Sequence, residues 1–189
     1  MQPREIDRTL TRPAMVELRP AHGGDATLLK QWRAEPSVRR HQPLGTVSVG
    51  QLGAELAAQR IDDLHRGRGE KFQWIICRDE EPAGWITLVV TNWDHGLAEA
   101  GYALSSRFQR QGLMPRALEL LLAEVFLNTA IERLEARCAT DNEASRKVLE
   151  NVGFLREGYL RGYFVLGGKR VDNYLYAILR DDYLDSLKG

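Results

Sequence analysis

The chain has 189 residues, a length that suits one domain with a real hydrophobic core. Hydrophobic residues make up 43% and charged residues 28%, proportions that exclude a mostly disordered, collagen-like or coiled-coil chain. Lysine plus arginine and aspartate plus glutamate both total 26, so no global field draws the protein to DNA or an acidic membrane, and any anion site must be local.

Residues 1–14, where Pro3 and Pro13 bracket a polar stretch, read as a flexible tail, and residues 15–189 as the folded domain. No stretch has a signal-peptide core or approaches the ~18 apolar residues of a bilayer span, so neither secretion nor a membrane is expected. Cys77 and Cys138 form no CxxC or Cys/His cluster, which fits buried thiols of a cytoplasmic protein. His22, His41, His65 and His95 lack metal-ligand spacing, so no metal site is expected.

From Met15 to Pro20 the residues alternate as a short strand that the proline stops. Asp25 is placed to cap a helix carrying Ala26, Leu28, Leu29 and Trp32, which Glu35-Pro36 ends. Leu52, Leu56 and Ile61 predict one helix over about 48–66, closed by Gly67 and Gly69. Residues 72–77 and 83–91 predict a hairpin, and the turn at 92–96 leads to a third antiparallel strand over 97–104. Trp74 and Trp85 on this hairpin suit a core, while Trp32 and Trp93 suit core or the rim of a substrate mouth.

From Gly112 onward the period becomes helical through Leu113, Ala117, Leu120, Leu121 and Val125, and Leu134 to Cys138 alternates again. Asn142 can cap a short helix whose Ala144, Val148, Leu149 and Val152 share a face, with Gly153 at its C-terminus. A last hairpin, 154–163 with 169–179, turns at Leu166-Gly167-Gly168, and a final helix begins at Asp181. The expected class is α+β: a single-domain mixed, mostly antiparallel twisted sheet with helices on both faces.

Chemistry concentrates in LSSRFQRQGLMPRAL, where a strand gives way to a helix. A helix start offers unpaired N–H groups and partial positive charge, here sharpened by Arg107, Arg110 and Arg116, so a diphosphate would fit. The turn lacks the GK[ST] of a Walker loop and the three glycines of a Rossmann fingerprint. Taken alone, a plain capped turn accounts for the same residues.

Glu99 on a strand, then Gln109-Arg110-Gln111-Gly112-Leu113-Met114, then Asn142-Glu143-Ala144-Ser145, Val152-Gly153-Phe154 and Glu157-Gly158 occur in an order that resembles the GNAT superfamily of acetyl-CoA-dependent N-acetyltransferases. Spacing and ending resemble its RimJ/RimL-like branch, which acetylates protein N-terminal amines, while other members act on small amines. The likeness runs over roughly residues 15–185. The family's glycine motif is usually Gln/Arg-x-x-Gly-x-Gly/Ala, and Met114 stands here in place of the last small residue.

The resemblance implies acetyl-CoA wedged between two splayed strands, 97–104 and 133–140. It implies backbone contacts to pantetheine and diphosphate from Leu104 and from Gln109, Arg110, Gln111, Gly112, Leu113 and Met114. Glu99 would take the amine's proton through water, Ser145 would donate to the thiolate or steady the sulfur, and Asn142 would bond the pantetheine arm. Leu149 stands where many relatives have a tyrosine acid, and Phe164 where some have an acidic residue. In a regular strand Glu99, Gly101 and Ala103 share one face, and the two small residues leave room for a slender ligand. Each residue also has a plainer reading, an exposed strand glutamate or ordinary helix capping.

The expected acceptor is a protein or peptide N-terminal amine, a ribosomal protein's among them. A small amine (amino acid, polyamine or aminoglycoside) and a non-catalytic acyl-CoA-binding module stand as alternatives. Tyr159 and Tyr163 lie near the expected cleft, where packing is the commoner role for tyrosines of a late hairpin. That hairpin would also suit pairing across the two-fold of a homodimer.

Overall fold

The computed structural model describes residues 14–188, so the tail expected at the N-terminus falls, Ala14 aside, outside the described residues. The elements in chain order are β1 (Val16–Pro20), α1 (Ala26–Ala34), α2 (Pro36–Arg39), α3 (Val49–Ala58), α4 (Ile61–His65), β2 (Lys71–Arg78), β3 (Glu81–Asn92) and β4 (Leu97–Leu104). There follow α5 (Leu113–Asn128), β5 (Arg133–Ala139), α6 (Glu143–Asn151), β6 (Leu155–Leu166), β7 (Lys169–Leu179) and α7 (Arg180–Ser186). The strands form one sheet of seven in the order β1-β2-β3-β4-β5-β7-β6. Every neighbouring pair is antiparallel except β4 with β5.

Period-2 alternation divides the sheet's side chains between two cores. On one face Trp74, Ile76, Ile86, Leu88, Ala100, Leu134 and Ala136 pack against Leu118, Leu121 and Val125 of α5 and Leu149 of α6. On the other, Ile75, Cys77, Trp85 and Ala103 pack against Leu29 and Trp32 of α1, Val38 of α2 and Leu56 of α3. Leu118, Leu121 and Val125 are fully excluded from solvent, each contributing on the order of 1.5–3 kcal/mol of burial. Trp32 stacks on Trp85 at 6.3 Å and 8°, so it is core and lines no mouth.

The helix expected over 48–66 is two helices. Gln59 leaves helical geometry at ψ 145°, and its side chain accepts from Gln73 N–H at 2.9 Å while donating to the Ala21 and Gln73 carbonyls at 2.6 and 3.0 Å. Satisfying three backbone groups outweighs the continuation of one turn. Asp25 precedes α1 but makes no side-chain cap bond to it, because its carboxylate is engaged in the preceding turn, where His22 N–H donates to it at 2.9 Å and Arg19 clasps both its oxygens. The hairpin glycines behave as their sequence suggests, with φ of +55° at Gly167 and +78° at Gly168.

Candidate active site

β4 and β5 stay in parallel register only from Leu97↔Arg133 to Ala100↔Ala136. Beyond Ala100, β4 continues to Leu104 against β3, and beyond Ala136, β5 continues to Ala139 against β7, so a gap opens between them. Ser105 N–H bonds the Ala83 carbonyl at 2.9 Å, and antiparallel alternation then turns the N–H and C=O of Tyr102 and Leu104 away from β3, into the gap. Two amide side chains use those carbonyls: Gln42 donates to Tyr102 at 2.6 Å and Gln109 to Leu104 at 3.1 Å. An extended ligand carrying amides would find the same row of donors and acceptors.

The turn into α5 places Arg110 at φ +60° and Gly112 at φ +72°, which reverses the chain and aims the helix N-terminus outward. Arg110, Gln111 and Gly112 N–H make no backbone hydrogen bond among the described residues, and the first helical turn leaves its own donors free. Leu113 and Met114 bury their side chains in the core, so this segment faces outward through backbone alone. Gln111 braces the turn, donating to the Arg107 carbonyl at 2.9 Å and accepting from Arg78. Beside it lies a cleft of about 590 Å³, lined by Met15, Val16, Gln111, Gly112, Leu113 and Arg116. The arginines differ from expectation: Arg107 is paired with Glu81 at 2.6 Å and Arg116 with Glu119 at 2.8 Å, leaving Arg110 without a carboxylate among the described residues.

On one face of the gap, Glu99 of β4 lies level with Glu135 of β5. The Arg137 guanidinium pairs with Glu99 and with Glu135, at 3.1 Å for the latter, and lies 5.4 Å over the Tyr163 ring. Arg133 bonds Glu135 at 3.0 Å and holds Glu157 by two hydrogen bonds. The Glu157 bonds, against the cost of burial, raise Arg133 above its ordinary range. Glu99, Glu135 and Glu157 therefore each have an arginine partner. Of the two small residues expected to leave room, Gly101 does, with nothing within 4 Å of where a Cβ would sit. Ala103 instead packs under Trp85 and Trp32.

On the opposite face, Asn142 caps α6 by accepting the Ser145 N–H at 3.2 Å, and its NH2 group has no partner among the described residues. The Ser145 hydroxyl lies 2.9 Å from the Tyr102 hydroxyl. Burial pushes the Tyr102 phenol well above its ordinary range, although Ser145 opposes the shift. Tyr102 escaped the sequence reading because attention fell on the Glu99 face. Alternation along β4 puts it with Ala100 and Leu104, toward the helix that Asn142 begins. Leu149 is wholly buried, Phe164 packs edge-on to Tyr163 at 4.6 Å, and Tyr159 bonds Asp172 on the outer hairpin. No cluster of metal-ligating residues occurs among the described residues.

Residues 16–155 match the Acetyltransferase (GNAT) domain family. The chain belongs to that family. It is 28% identical over 160 residues to the uncharacterized N-acetyltransferase p20 of Bacillus licheniformis, covering 84% of this chain and 89% of that protein. A solved structure of RimL, a ribosomal alpha-N-protein acetyltransferase in complex with coenzyme A, is 25% identical, with a TM-score of 0.76 over 88% of this chain and 95% of that one. The fold is shared too by spermidine N-acetyltransferase from Vibrio cholerae with coenzyme A and spermine, 20% identical with a TM-score of 0.76 over 89% and 98% of the two chains. The protein is thus an acetyl-CoA-dependent N-acetyltransferase of GNAT type. The splayed strands, the unpaired edge at Tyr102 and Leu104 and the outward start of α5 fit that donor. No described helix is long and apolar enough to cross a membrane.

Proposed function

We propose that this acetyltransferase acts on the N-terminal α-amine of a protein or peptide, by direct transfer with Glu99 as base, in the cytoplasm. Acetyl-CoA, when bound, supplies an acetyl group activated as a thioester. Leu104 and the amides from Gln109 to Met114 hold the donor's pantetheine and diphosphate, and the free Asn142 NH2 reaches the pantetheine arm. Glu99, on one lip of the gap, accepts the proton of the attacking amine, directly or through one water. Ser145, across the sheet, donates a hydrogen bond to the departing sulfur. Base and donor thus stand on opposite faces of the opening, which suits attack from one side and departure on the other.

The observation that carries the choice of acceptor is the pairing of Glu99, Glu135 and Glu157 with Arg133 and Arg137. A polyamine is selected by uncompensated negative charge, and here the charge is compensated. A single amine at the end of an extended peptide needs only one acceptor and an open approach, and Gly101 leaves that approach clear. A mass-shift screen with labelled acetyl-CoA tests the reading, comparing peptides with free N-termini against spermidine and amino acids. Peptides should be labelled, and preferential labelling of spermidine would overturn the assignment. Glu99→Gln should lower kcat by about 10²-fold or more while acetyl-CoA affinity stays within about twofold.

A further inference from the structure

We propose that Tyr102 is a positioning residue for the leaving group, donating its hydroxyl hydrogen to Ser145 Oγ and so freeing the serine's single hydrogen for the sulfur of coenzyme A. The proposal rests on the acetyl-transfer reading of the gap and goes beyond it. Tyr102 lies two residues past the last β4–β5 pair, and Cys138 lies the same distance past it on β5. Both belong to the face that α6 covers, where Tyr102 Oη and Ser145 Oγ stand 2.9 Å apart. At the point where the strands part, therefore, a phenol, a serine hydroxyl and a thiol converge.

The direction of the hydrogen bond follows from what each group needs. A partly buried phenol that keeps its proton must find an acceptor or lose about the worth of a hydrogen bond, and Ser145 Oγ is its hydrogen-bond partner in the structure. A serine that donated to the phenol would leave the phenolic hydrogen without that acceptor. With Tyr102 donating, the Ser145 hydrogen is free of the phenol and can turn to a sulfur, that of Cys138 beside it or that of a ligand in the gap. Other groups face this point: Cys138 from β5, Tyr176 from β7, and Arg146 and Glu150 from α6. Tyr176 is engaged with Glu150 at 2.7 Å, whereas Arg146 Nε is buried without a hydrogen-bond partner among the described residues and adds positive charge nearby. Leu149 of α6 is wholly buried and offers no hydrogen bond, so Tyr102 reaches Ser145 from the strand side.

The step balances as follows in atoms and electrons. A C–N bond forms, the C–S bond breaks with its pair going to sulfur, and the proton of the nitrogen passes to Glu99 and then to water. Ser145 stabilises the negative sulfur by a hydrogen bond, and Tyr102 keeps its proton throughout. The sulfur is protonated by solvent after leaving.

The test measures the affinity of the intact protein for coenzyme A and for desulfo-coenzyme A by calorimetry at pH 7 and pH 9.5, so that titration of the rest of the ligand cancels. The wild type should gain about tenfold for coenzyme A over the desulfo compound as the thiol ionises. Ser145→Ala and Tyr102→Phe should each lose most of that gain, and the double variant should lose no more than Ser145→Ala alone. Ser145→Thr, which keeps a hydroxyl, should retain it. A Tyr102→Phe protein that keeps the full gain, losses that multiply in the double variant, or a wild type that binds equally at both pH values would each overturn the proposal. Failure of every form to bind either ligand would instead defeat the donor-site reading on which it rests.

Discussion

Replacing Gly84 by alanine probes whether the lip of the gap has any freedom to yield. Gly84 sits on β3 opposite Leu104, and a Cβ there would lie 2.3 Å from the Ala103 carbonyl oxygen and 2.9 Å from the Leu104 Cα. Both are backbone atoms, so no rotamer change relieves the clash, and β4 must retreat by roughly 1 Å to restore van der Waals contact. Overpacking of this kind costs about 1–3 kcal/mol. For a chain of this size that corresponds to a melting temperature lower by roughly 3–10 °C. The retreat moves Ala103 and Leu104, the stretch of β4 with no partner beyond the gap, so acetyl-CoA affinity should fall in parallel. Gly101→Ala is the control, because its Cβ meets nothing within 4 Å and its stability should be unchanged or up to about 1 kcal/mol higher. Urea unfolding at constant slope, with calorimetry of acetyl-CoA binding, reads both quantities. Equal midpoints for the two alanine variants would refute the claim that β3 packs rigidly against this part of β4.

Gln59→Ala should destabilise by about 1–3 kcal/mol in urea, since it strips the partner from the Gln73 N–H and the Ala21 carbonyl and leaves the Gln73 carbonyl with the Ala21 N–H alone; a change below about 0.5 kcal/mol would mean that water replaces it freely. Burial pushes the Asp25 carboxyl up, but the Arg19 hydrogen bond and the His22 N–H outweigh it, and the group settles below its ordinary 3.8. A lowered folded value means stability present above about pH 4 and lost as pH falls through that value. Wild type and Asp25→Asn should therefore differ at pH 7 and converge below pH 4, and a constant difference across that range would contradict the assignment. Burial pushes the Cys77 thiol up and Cys138 up to about 11, so both should react slowly with a disulfide reagent at pH 8 in the native protein and fast in urea. Two fast native equivalents would show the thiols to be open.

Strong periodicity made most elements legible. β4 over 97–104 and the Leu166-Gly167-Gly168 turn are where alternation and paired glycines place them, because each reflects a local rule. The break at Gln59 was not legible, since its cause is hydrogen bonding to Ala21, just past β1, and to Gln73 of β2, both outside the helix. At the site, the ordered motifs identify the turn from Gln109 to Met114 and the cap at Asn142. They are silent on what neutralises Glu99, because Arg137 reaches it only once β5 lies parallel to β4. Arg107 misled for a related reason, since only folding brings Glu81 to it, whereas the partner of Arg116, Glu119, lies three residues on in the same helix and is legible in the sequence.

The position of β7 bears on the order in which the molecule assembles. It lies between β5 and β6, although both precede it along the chain. Until residues 169–179 have been made and inserted, β5 has β4 on one side, only as far as Ala136, and nothing on the other. An early intermediate would thus hold β2 to β4 as a local antiparallel meander, while the half that completes the donor's berth waits for the longer-range pairing of β5 with β7. Arg180 then locks the arrangement, donating to the Phe126, Thr129 and Ile131 carbonyls at the end of α5. Competence to hold the donor should accordingly wait for β7 to insert, later than the pairing of β2, β3 and β4.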